Sequence, residues 1–165
     1  MNIFYLDHDP HTAATYHCDK HVVKMIVESA QLLSTAHHIL DGERARPGIY
    51  KATHANHPSA VWVRSSLLHY DWVYRLLGSL CMEYTIRYGK THKTKRQVFP
   101  RLLLAPKFIR PDVKFAPPPM CMPEKYWKPD TVKAYRDYYV GEKYKIARYT
   151  NRPAPCWFEN KAVCK

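Results

Sequence analysis

The chain has 165 residues, 46% of them apolar, which suits one globular domain with a sizeable core and argues against disorder. The formal charge is +12, from 26 Lys+Arg against 14 Asp+Glu, so polyanions are the natural partners. No run of 18 apolar residues occurs, and Asp7, His8 and Asp9 interrupt the N-terminal apolar stretch, so neither a membrane span nor a signal peptide is expected.

Residues 2 to 6, Asn-Ile-Phe-Tyr-Leu, form a short apolar lead-in. Asp9-Pro10 allows a turn before a first helix over about 11–38. On that helix His17, His21, Lys24 and Glu28 fall at i, i+4, i+7 and i+11, and Gln31 and Thr35 extend the same narrow stripe. Val22, Val23, Met25, Ile26, Val27, Leu32 and Leu33 cover the rest, so a mostly buried helix is expected to turn its polar edge to a cleft. Glu28 is the only carboxylate on the stripe. Beside Lys24 and His21 it can have a tuned pKa or stabilise a developing cation. An internal polar network explains the same spacing.

Asp41-Gly42 ends the first helix, and 44–56 is a loop containing Pro47 and Gly48. Thr53-His54-Ala55-Asn56-His57-Pro58 precedes a second helix over about 58–88. There Asn56 is the expected cap, and His57 could meet a phosphate or a base edge. Gly89 is the expected stop. Residues 90–128 are basic and proline-rich, and from Arg87 to Lys114 nine cations face one acid, Asp112, as a backbone-tracking segment would. Pro129 and Asp130 open a third helix to about 149. Its Tyr135, Arg136, Tyr138, Tyr139, Lys143, Tyr144, Lys145, Arg148 and Tyr149, with Trp157 and Phe158 beyond, combine cations and rings in a way that suits base stacking. Aromatic core with snorkelling lysines accounts for some of them.

The expected fold is mainly α, a single domain over 1–165. It has two long helices, a shorter C-terminal helix and a long basic proline-rich loop. Cys18, Cys81, Cys121, Cys156 and Cys164 are widely spaced, without a C-x-x-C pair, which argues against a disulfide framework and for a cytoplasmic setting. His17-x-x-x-His21 has metal-ligand spacing, and His54 and His57 could complete such a site. Neither a His-Glu-x-x-His nor a Pro-Cys-x-x-Cys motif supports it.

Asp19-Lys20-His21-Val22-Val23, with Glu28 seven residues after the histidine, resembles the first helix of the phage-type pyrimidine-dimer DNA glycosylases with AP-lyase activity (the endonuclease V-like family). His38 to Arg46, His57 before the second long helix, Lys145-Ile146-Ala147 and Arg152-Pro153 with an aromatic tail are similar in order. The resemblance implies a compact all-α enzyme that needs no cofactor and excises a damaged or modified base from double-stranded DNA. Attack by the terminal α-amine on the sugar C1′ would form a Schiff base, with Glu28 as the catalytic carboxylate and His21, His57 and Lys145 binding DNA or supporting the site. It also implies a monomer in the cytoplasm, that of the host cell if the chain is phage-encoded. The family's arginine before the glutamate is Val27 here, and its arginine four residues before Lys145 is Gly141. Asn2 predicts that Met1 is retained, and Lys24, one turn before Glu28, offers a second amine if burial tunes it. The expected catalytic set is therefore Glu28, Met1, Lys24 and His21. The expected nucleic-acid contacts are His17, His54, Asn56, His57, Arg64, Lys93, Lys95, Arg96, Lys143, Lys145, Arg148, Arg152 and Trp157, with no metal ligand. A non-catalytic basic nucleic-acid-binding protein and a His-ligated metal-dependent nucleic-acid enzyme are the competing readings.

Overall fold

Local sequence sets most helix starts. The computed structural model describes residues 1–159. Asp9 accepts the Thr12 N–H at 2.7 Å, and Pro10 begins α1 (Pro10–Tyr16). After α2 (Asp19–Asp41), the side chains of His57, Ser66, His92 and Asp130 cap α3 (Pro58–Ser65), α4 (Leu67–Tyr88), α5 (Lys93–Gln97) and α6 (Thr131–Tyr138). His57, not Asn56, is the cap of α3: its Nδ1 accepts the Ser59 N–H at 3.2 Å. Helix α4 ends at Gly89, whose φ of 64° is the left-handed conformation that favours glycine. A π-helical turn, Tyr139–Lys143, continues α6, and α7 (Cys156–Glu159) follows. Among the described residues there is no strand, and no helix is long and apolar enough to cross a membrane.

The two long helices expected from the sequence are present as α2 and α4, but each starts later than expected, after a break that tertiary partners explain. His17 and Cys18 are extended, so α1 and α2 are separate helices and the stripe from His17 to Glu28 is not one helix face. The buried Arg87 guanidinium donates to the carbonyls of His17 at 2.8 Å and Thr15 at 3.1 Å, which the end of α1 leaves without helical partners. The Cys18 N–H goes to the Tyr139 hydroxyl, and the Asp19 N–H to the Arg148 carbonyl. Ser66 is likewise extended between α3 and α4. Its hydroxyl accepts from Leu68 N–H at 3.2 Å and donates to the Val113 carbonyl at 2.7 Å. Ser66→Ala should therefore cost about 1 kcal/mol or somewhat more, for a lost cap and an unpaired buried carbonyl. Urea denaturation checks this, and an unchanged midpoint would contradict it. The third helix is also shorter than expected, because regular α geometry stops at Tyr138.

Helices α2 and α4 pack antiparallel, with Asp19 meeting Arg87 at one end and His37 meeting Tyr70 at the other. Between and around them lies a core whose largest buried side chains include Tyr5, Tyr70, Tyr135 and Tyr139. The lead-in Ile3-Phe4-Tyr5-Leu6 is buried throughout. At about 1.5–3 kcal/mol per large apolar side chain, that burial outweighs the tendency of a chain end to fray. It fixes where residues 1 and 2 emerge.

Candidate active site

The buried lead-in brings the start of the chain to Glu28. The Asn2 backbone nitrogen lies 3.2 Å from Glu28 Oε2. Lys24 Nζ lies 3.3 Å from Oε1 of the same carboxylate, one helical turn away. Glu28 keeps 15% of its side chain exposed, so it is shielded yet reachable, whereas Lys24 is 67% exposed. The burial expected to tune Lys24 is therefore not found. His57 lies within electrostatic reach of the same place. Its pKa is lowered, mainly by burial and then by the positive chain terminus and His54, with Glu28 opposing. Met1, Asn2, Lys24, Glu28 and His57 thus converge from three parts of the chain.

His21 lies one layer deeper. Its ring stacks on Phe4 with centroids 4.4 Å apart, and Nδ1 pairs with the Tyr139 hydroxyl at 2.8 Å. Burial, followed by the fields of His17, Lys143 and Lys24, lowers its pKa to about 3. His17 is fully buried, with Nδ1–H donating to the Ala13 carbonyl at 2.7 Å and no hydrogen-bond partner at Nε2. Its pKa is lowered to about 4, chiefly by burial. An interior position excludes the nucleic-acid contact expected of His17, which is a core histidine. Both rings are neutral in the fold, while in the unfolded chain they take up protons below about pH 6.5. Their contribution is therefore complete above pH 6.5 and lost as pH falls toward 4 and below, at up to about 1.4 kcal/mol per pH unit for each histidine. Urea midpoints at pH 7.5 and 5 should differ in that direction, and His17→Gln should reduce the difference. Equal midpoints would contradict the two buried neutral rings.

The expected nucleic-acid contacts divide into two groups. Arg87 and Arg152 are structural. Arg152 donates to Glu83 Oε1 at 2.6 Å, and Arg87 shares that buried carboxylate at 3.1 Å. Trp157 is buried against Tyr16 and Tyr139, with the Arg136 guanidinium over its ring, so it stacks on protein. Tyr135 and Tyr139 are core residues as well. Arg64 Nη1 donates to the Ala55 carbonyl and braces the 53–57 loop. His54 takes a positive φ of 49° and pairs with Thr53 Oγ1, and Asn56 is exposed beside it. Lys143, whose ammonium lies over the Tyr138 ring, acts on His21 together with Lys24, so both cations belong to the edge of the site. Lys145 and Arg148 follow it, exposed. Lys93, Lys95 and Arg96 sit on α5, which is held through Thr94 to Tyr50 and thence to Ser34. Six residues separate Glu28 from Ser34 on α2, about a third of a turn around its axis, so α5 is not at the carboxylate.

Among the described residues no group of three or more His, Cys, Asp or Glu side chains is arranged to hold a metal ion. His17 and His21 direct their Nδ1 atoms to Ala13 and Tyr139 instead of to a shared point. The described cysteines, Cys18, Cys81, Cys121 and Cys156, are free thiols, and Cys164 lies outside the described residues. Sequence reasoning used Asn2 only to judge Met1 and read Tyr135 only as stacking surface or core; it did not expect the two to meet, and no local pattern signals that they do.

The fold and site define a helical protein in which residue 2 is held against a glutamate of the longest helix. The family model for pyrimidine dimer DNA glycosylase matches residues 1–97, which include every residue at this convergence. The chain belongs to that family and is a DNA glycosylase-type repair enzyme with DNA as its substrate. Comparison with curated proteins and with solved structures returned no match.

Proposed function

We propose that the protein acts as a monomer on double-stranded DNA, excises a damaged or modified base and then opens the resulting site as an AP lyase. Glu28 is the catalytic carboxylate and the chain-terminal amine the nucleophile. The observation that carries this reading is the Asn2 nitrogen at 3.2 Å from Glu28 Oε2. The amine lone pair attacks C1′, and the glycosidic bond breaks with its electron pair leaving on the base. Loss of a proton from the attached nitrogen and cleavage of the C1′–O4′ bond, whose electron pair goes to O4′ as that oxygen takes up a proton, then open the sugar ring to a Schiff base between enzyme and sugar. A carboxylate at this distance stabilises the cationic sugar and can accept a proton in the later elimination. The nitrogen beside Glu28 is the Asn2 peptide N–H, which becomes an amine only on a chain processed to begin there, and Asn2 itself argues that Met1 stays. On a chain that keeps Met1 the amine lies one residue further out, toward His57. Lys24 is the weaker candidate, since it is exposed and its ammonium is already paired with the Glu28 carboxylate. Lys24 and Lys143 at the edge of the site, with Lys145, Arg148, His54 and Asn56, supply phosphate contacts. Selectivity follows from the smaller cost of extruding a base whose stacking or pairing is already damaged.

The test is incision and borohydride trapping on duplexes carrying a thymine dimer, an abasic site or modified bases, with peptide mapping of the adduct and intact mass of the protein. An adduct on residue 1 or 2 supports the reading, and an adduct on Lys24 moves the nucleophile there. No product and no adduct on any substrate would sink it, and binding without chemistry would favour the non-catalytic alternative.

A further inference from the structure

The Asn2 side chain is held at both ends. Its Nδ2 donates to the Cys121 carbonyl at 3.0 Å, and its Oδ1 accepts from the Tyr135 hydroxyl at 2.9 Å and from the Ile3 N–H at 2.8 Å. Tyr135 is fully buried on α6, and burial raises its pKa, so the hydroxyl keeps its proton. The Pro119 carbonyl, 2.8 Å away, is the second acceptor for that proton, and the Cys121 N–H approaches the same oxygen at 3.4 Å. The segment Pro117-Pro118-Pro119 supplies three fixed φ angles and no N–H groups. Its neighbourhood is tied down by indoles, with Trp62 donating to the Ala116 carbonyl and Trp127 to the Met122 carbonyl, both at 3.0 Å. The proline-rich stretch is therefore a stiff strap over the start of the chain.

We infer that Asn2, Tyr135 and the Pro119–Cys121 strap form a positioning clamp that aims the nitrogen of residue 2 at Glu28. With both ends of the carboxamide engaged, the side chain of residue 2 is fixed, and its backbone nitrogen points at the carboxylate. Fixing residue 2 in this way removes orientational freedom that a chain terminus otherwise has in abundance, for an amine on residue 2 itself or on Met1 one residue out. The clamp joins residue 2 to parts of the chain 119 and 133 residues away, both beyond the 97 residues that the family model matches. Asn2 and Tyr135 are thus positioning residues, and the clamp is a device of this chain's own second half.

The inference rests on the proposed terminal-amine chemistry and is tested separately from it. Wild type, Tyr135→Phe, Asn2→Leu and the double variant are compared on duplex DNA with a single abasic site, by the rate of borohydride-trappable adduct formation and by DNA affinity. Tyr135→Phe should slow adduct formation by about tenfold with DNA affinity unchanged. Asn2→Leu, which keeps the size of the side chain, should slow it at least as much. The double variant should be no slower than Asn2→Leu alone, because both changes release one clamp. Wild-type rates in both single variants, or losses that multiply in the double, would overturn the clamp. If Tyr135→Phe does not fold, a wild-type rate in Asn2→Leu overturns it alone. A wild-type protein that forms no adduct overturns the terminal-amine reading instead.

Discussion

Glu28→Gln should lower base excision and adduct trapping by roughly 10²–10⁴-fold, the range expected when a positioned acid–base and charge-stabilising group is lost. The melting temperature should barely move. The carboxamide has nearly the same shape, and its oxygen can still accept the Asn2 N–H. The ion pair it gives up is with an exposed lysine, and such pairs contribute little. DNA affinity should stay the same or rise slightly, because a negative charge leaves a surface that meets phosphates. Lys24→Ala is the companion measurement: it removes the second candidate amine and should still yield the trapped adduct. A Glu28→Gln protein as active as wild type would remove the carboxylate from the chemistry altogether.

The second large effect concerns stability. Arg87→Met should destabilise the fold by about 3–5 kcal/mol, the usual penalty for breaking a buried charge pair from one side. The guanidinium is fully buried and reaches Glu83, Asp19 and two carbonyls at the end of α1. Glu83 is nearly as buried and would keep only Arg152. Asp19 is the point where this network meets the C-terminal region, accepting the Thr150 N–H at 3.1 Å and its hydroxyl at 2.7 Å. The substitution should therefore also raise hydrogen exchange at Thr150 before global unfolding. Urea denaturation reads the first effect and exchange mass spectrometry the second. A loss below about 1 kcal/mol would show that the methionine repacks the site, which the replacement of whole buried ion networks permits.

What the sequence made legible was local. Asp9-Pro10, His57-Pro58, Gly89 and Asp130 mark helix ends because a side chain or a φ angle a few residues away sets them. Glu28 stood out because a carboxylate on a largely apolar helix needs a reason. The breaks at 17–18 and at Ser66 left no such mark. No proline or glycine makes them. They exist because Arg87, Tyr139 and Val113 take up the backbone groups that the breaks free. His17 shared a stripe with Glu28 only for as long as one helix was drawn through both. The aromatic, cationic third helix could be read as a stacking surface or as core. For Tyr135, Tyr139 and Trp157 the answer is core, decided by neighbours far away in sequence. The Asn2–Tyr135 pair spans 133 residues, beyond the reach of any pattern within the chain's periodicities.

The buried lead-in has a consequence for synthesis on the ribosome. Ile3, Phe4, Tyr5 and Leu6 leave the ribosome well before partners such as Tyr135, Tyr139 and Arg136, which lie some 130 residues later. At about 5–20 residues per second the apolar start of the nascent chain waits on the order of ten seconds for its walls. In the terminal-amine reading the nucleophile stays loose for all of that interval. In that reading, a translation product that stops before α6 would carry both Glu28 and the amine but lack the Tyr135 contact to residue 2. The same delay leaves the apolar tetrapeptide 3–6 without its later partners, open to capture by chaperones.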